Sequence, residues 1–73
     1  MAPQFRNVTQ ADAIKAFCRA GGVLRAHTRR GHAIIKMPNG KIVSLPTGVL
    51  MVGLLKAQIK VAGLTDEEFD GLL

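Results

Sequence analysis

Few side chains in this 73-residue sequence can do chemistry near neutral pH: His27, His32, the single cysteine Cys18, and the cations around them. His32 stands in the stretch Arg29-Arg30-Gly31-His32-Ala33-Ile34-Ile35-Lys36-Met37-Pro38-Asn39-Gly40, between a doubly charged turn and an apolar run that ends in a second turn. An imidazole there could shuttle a proton, bind a metal or fill half-buried space, and its surroundings must choose. A zinc site needs four convergent ligands, and Cys18, His27 and His32 lack metal-ligand spacing, so we expect no metal and no cofactor. Cys18 falls on the apolar side of the first helical pattern and reads as a core residue.

Charge narrows the choice. Residues 1–64 hold all ten Lys and Arg against one acid, Asp12, whereas the last nine residues hold Asp66, Glu67, Glu68 and Asp70 with no base. A basic body of this kind suits a polyanion. With no Trp or Tyr, stacking of bases on aromatic rings is a weak option, and so short a chain has little room for a deep pocket. Recognition over an extended surface is the better expectation. One cysteine cannot form an internal disulfide, Met1 to Arg6 lacks an apolar core, and Val49 to Leu55 is too short to span a bilayer. We therefore expect a single domain over 1–73, cytoplasmic, with no membrane partner.

The elements that must position these residues are legible in outline. Thr9 followed by Asp12 marks a helix start, with Ile14, Phe17 and Cys18 on one face, and Gly21-Gly22 stops it. Val23 to Thr28 and His32 to Met37 alternate as strands around Arg29-Arg30-Gly31; Pro38-Asn39-Gly40 is a turn, and Lys41 to Leu45 is a third strand closed by Pro46. After Thr47-Gly48 a helical stripe of Met51, Leu54, Leu55, Gln58, Ile59 and Ala62 runs to Gly63, and the capping box Thr65-Asp66-Glu67-Glu68 opens a last helical piece to Leu72. The order predicts an α+β fold, α-β-β-β-α, with a three-stranded antiparallel sheet and helices on one face. Ile14, Phe17, Leu24, Ile35, Val43, Leu45, Leu55, Ile59 and Phe69 are the expected core. Alternation then leaves His32 and Lys36 on the open face beside the Arg29-Arg30 turn. Val49 to Leu55 is apolar all round a helix, so Val49 and Val52 are expected to meet another chain, a second copy included.

Taken in order, Gly31-His32 with its short strand, Pro38-Asn39-Gly40 with Lys41-Ile42-Val43 and Pro46, and Gly53-Leu54-Leu55-Lys56 leading to Ala62-Gly63-Leu64-Thr65-Asp66-Glu67-Glu68-Phe69 resemble the HicA toxins of bacterial toxin–antitoxin pairs. The likeness covers most of the chain, with Arg30 where the family usually has glycine. It implies a double-stranded-RNA-binding-like fold, metal-independent cleavage of mRNA with His32 as the catalytic histidine, and a HicB-like antitoxin that covers the His32 face.

Under that reading His32 takes the proton from a ribose 2′-OH, whose oxygen attacks the neighbouring phosphate and leaves a cyclic phosphate end. Arg29, Arg30, Gly31, Lys36 and Lys41 are the candidates for holding RNA, and Arg29, Arg30 and Lys36 for stabilising the charge that develops on the phosphate. His27 depends on the turn. A two-residue Arg29-Arg30 turn sets it opposite His32 as a possible acid, while a three-residue turn with Gly31 at positive φ puts Thr28 there instead, and glycine favours the second. The rival function is a non-catalytic RNA-binding module of the same fold.

Overall fold

The computed structural model describes residues 4–73, in the order α1 (Gln10–Arg19), β1 (Val23–His27), β2 (Ala33–Lys36), β3 (Ile42–Leu45), α2 (Val52–Val61) and α3 (Asp66–Asp70). Local chemistry fixes most of these boundaries. Thr9 caps α1 by accepting from the Asp12 N–H at 3.2 Å while the Asp12 carboxylate accepts from the Thr9 N–H at 3.3 Å. Thr65 and Glu68 repeat the device at α3, at 3.1 and 3.0 Å.

The strands form one antiparallel sheet in the order β1-β2-β3. Ala33↔Leu45 and Ile35↔Val43 pair across β2 and β3 on the covered face, and all four side chains are buried. Lys36↔Ile42 and Ile34↔Ser44 alternate with them on the other face, which no helix covers. Phe5, Phe17, Ile35, Leu45, Leu55, Ile59 and Phe69 are among the largest buried side chains, with Phe69 set edge-on to Phe5 (ring centres 5.6 Å apart) and tilted against Phe17 (4.8 Å). The outer edge of β3 is closed from α2, where Gln58 Oε1 accepts from the Ser44 N–H at 3.1 Å.

The fold class is the one expected, and four expectations within it need correction. Cys18 is half-buried and outside the core, because the buried stripe of α1 is Ala13, Ala16 and Phe17 and residue 18 falls beside it. Leu24 is not core: all of β1 is exposed, Leu24 by 40%, because the strand lies at the sheet margin. Ile14 only packs against the core from its margin. The helix after Gly48 starts at Val52. Val49 bridges Thr9 in extended backbone, Leu50 donates its N–H to the Val8 carbonyl at 2.8 Å, and Met51 is the N-cap. Pairing with the segment before α1 overrides local helical preference there, and buries Leu50 while leaving Met51 77% exposed. No helix among the described residues is long and apolar enough to cross a membrane.

Candidate functional site

The turn ahead of His32 decides the geometry. Thr28 donates its N–H to the His32 carbonyl at 2.9 Å and Gly31 donates to the Thr28 carbonyl at 2.8 Å, with Gly31 at φ +82°. This is the three-residue turn, so Thr28 stands opposite His32. His27 pairs instead with Ala33, whose side chain belongs to the covered face, and the pairing of His27 with His32 that an acid–base couple needs is not formed. Register also slips between Leu24 and Ala26, leaving Arg25 as the extra residue of a bulge. The bulge reverses the phase of the strand, so that Ala26 and Thr28 share the open face with Ile34 and His32.

His32 itself sits one residue before β2 and is half-buried rather than exposed. The peptide unit between Gly31 and His32 is held at both ends. Its N–H donates to Thr28 Oγ1 at 3.1 Å, and its carbonyl accepts from Gln10 Nε2 at 2.6 Å. Gln10 directs its second amide hydrogen to the Leu45 carbonyl at 2.9 Å and donates its backbone N–H to the Gly48 carbonyl at 2.9 Å. Since both side-chain partners are acceptors, the nitrogen and not the oxygen must face them. One residue in the first turn of α1 thus joins the β1–β2 turn, the end of β3 and the loop that follows. Against the other side of Gly31 lies the Thr47 methyl, so close that a β-carbon at residue 31 would collide with it. The side-chain hydrogen bonds among the described residues leave the His32 imidazole unengaged.

Arg29, Arg30, Gly31 and His32 are therefore brought together, both arginines exposed. Lys36 shares the open face between Val23 and Ile42 but lies four residues along the strand, roughly 13 Å from His32 at 3.3 Å per residue. It can reach a neighbouring stretch of backbone, not the same phosphate, so the expected role of Lys36 at the reacting phosphate does not fit. Lys41 belongs to the opposite end of the sheet, where its carbonyl accepts from the Met37 N–H. Val49 and Val52 are 60% and 43% exposed and form an apolar patch with Met51. A cleft of about 510 Å³, lined by Arg6, Asp12, Lys15 and Arg19 among others, contains none of these residues. Among the described residues no three His, Cys, Asp or Glu side chains gather as metal ligands would.

Sequence reasoning missed Gln10 but not Thr28. Gln10 looks like any polar residue in a first helical turn, and its partners lie 21 and 35 residues away, beyond the reach of local pattern. Thr28 was implied by the glycine in the turn. No protein-family model matches this chain, and no curated protein gives a significant match.

Proposed function

We propose that this protein is an endoribonuclease of the HicA type, cutting mRNA without a metal ion with His32 as general base. The observation that carries the reading is the Gly31-His32 peptide unit fixed at both ends, which presents an unengaged imidazole beside Arg29 and Arg30. In the reaction, the imidazole takes the proton of a ribose 2′-OH, the freed oxygen bonds to the adjacent phosphorus, and the bond to the 5′ oxygen breaks. That oxygen leaves with a proton from solvent, giving a cyclic phosphate and a 5′-hydroxyl. Exposed guanidinium groups in the same turn can meet the non-bridging phosphate oxygens as charge grows on them. Lys36, on the same open face, holds backbone farther along, and Lys41 touches RNA at most at the periphery.

A partner of the HicB kind would inhibit by covering the His32 face, and the patch of Val49, Met51 and Val52 offers apolar area for that partner or for a second copy. The test compares purified wild-type and His32→Ala proteins on one RNA in excess chelator, with product ends identified chemically. Cleavage by the wild type alone, leaving cyclic phosphate ends, is the expected result. RNA bound but never cut assigns a non-catalytic RNA-binding module instead, and cleavage that stops on adding chelator removes His32 from the role of sole base.

A further inference from the structure

We propose that Gln10 is a positioning residue for His32, holding the Gly31-His32 peptide plane in the orientation from which the imidazole can act; this rests on the nuclease reading of the same site. His32 precedes the first residue of β2, so regular sheet pairing alone does not fix its approach. A planar peptide turns as one body, and this one is gripped by two side chains: Gln10 of α1 on the carbonyl and Thr28, just past the end of β1, on the N–H. If the Gln10 grip is removed, the plane is left hinging on Thr28, and the direction in which residue 32 leaves the turn becomes variable. The second bond of the same amide, to the Leu45 carbonyl, makes the end of β3 the reference point, and the Gly48 carbonyl on the Gln10 backbone N–H adds the following loop. Position is therefore referred to the end of β3 as well as to Thr28, which follows the exposed strand β1.

Gln10 does not have to touch RNA to do this. Its side chain is half-buried and both of its donors are committed to backbone carbonyls, so its removal should change turnover and not affinity. A misplacement of about 1 Å can cost on the order of a hundredfold in rate, which sets the scale.

The experiment uses the full chain as wild type, Gln10→Ala, Gln10→Glu and Gln10→Lys. Glutamate keeps the shape but turns oxygens toward the two carbonyls, whereas lysine supplies donors of similar reach. Expected results are a kcat lowered about tenfold to a hundredfold in the Ala and Glu variants with KM within about twofold, and partial recovery in the Lys variant. Amide hydrogen exchange should quicken at Gly31 and His32 in the Ala and Glu variants while Gly40, in the other turn, stays as in the wild type. A KM that rises at constant kcat, or an unchanged kcat with unchanged exchange, overturns the positioning role. Should Gln10→Ala fail to fold, equal kcat in the Glu and Lys variants overturns it. Wild-type protein that leaves RNA intact defeats the nuclease reading and this role together, while a cleaving wild type matched by an equally active Gln10→Ala defeats this role alone.

Discussion

The two turns that flank β2 are built alike and used differently. In each, three residues separate the paired ends, a glycine at φ +82° occupies the third place, and that glycine donates to the carbonyl of the residue before the turn: Gly31 to Thr28 at 2.8 Å and Gly40 to Met37 at 2.9 Å. The Pro38-Asn39-Gly40 turn folds inward onto its neighbours. Asn39 Nδ2 donates to the Val61 carbonyl at 3.1 Å, Asn39 Oδ1 accepts from the Lys41 N–H at 2.9 Å, and Pro38 lies against Gly21. The Arg29-Arg30-Gly31 turn is anchored through one carbonyl and directs its charged side chains outward. The same backbone geometry thus serves as a brace at one end of β2 and as a platform at the other. What separates them is which atoms the rest of the chain engages, main chain only at Gly31 and side chain at Asn39.

Substitutions at the two turns test whether brace and platform are separate roles. Under the proposed nuclease activity the largest effect is expected at His32, where alanine should lower the cleavage rate by about 10² to 10⁴ while circular dichroism reports an intact fold. A folded variant cleaving at the wild-type rate would reduce the platform to a second brace. Next come the paired glycines. Alanine at either costs about 1 to 2 kcal/mol for its positive φ, but Gly40 faces open space whereas Gly31 also meets Thr47. Urea unfolding should therefore rank Gly31→Ala as the less stable, and equal midpoints would mean that Thr47 gives way freely. Asn39→Ala should cost about 1 kcal/mol for each hydrogen bond removed and leave kcat alone, a dissociation of stability from activity opposite to that of His32→Ala. The smallest effects concern salt. Replacing Arg29 and Arg30 together should flatten the dependence of RNA affinity on salt by about 0.7 for each phosphate no longer neutralised, and Lys41→Ala should flatten it less. A larger change at Lys41 in filter-binding titrations would relocate the RNA path to the far turn.

The features that could be read from sequence are those written within a few residues. Thr9 with Asp12 and Thr65 with Glu68 announce their helices, and the alternation from Ala33 to Met37 sorts buried from open positions as the folded chain does. A glycine after two arginines favours the three-residue turn, and Thr28 follows from it. What sequence could not supply depends on distant partners. Leu24 looks like core until it is seen to lie at an uncovered margin. The bulge at Arg25 changes which side chains accompany His32, and nothing within β1 announces it. Val49 and Leu50 read as helix until they pair with residues 8 and 9, and Gln10 reads as solvent-facing until the carbonyls of Gly31 and Leu45 arrive beside it. The place of His32 after its turn was legible; the support behind it was not.

The three phenylalanine rings tie the first part of the chain to the last. Phe5 and Phe17 are covered by Phe69, so both wait on a residue translated more than fifty positions later. A growing polypeptide that has passed His32 but has not reached Phe69 cannot bury those rings in this way, and α1, which carries both Phe17 and Gln10, lacks its final packing surface. A chain that ends before Phe69 therefore lacks the ring that packs behind α1, the helix from which Gln10 reaches the Gly31 carbonyl.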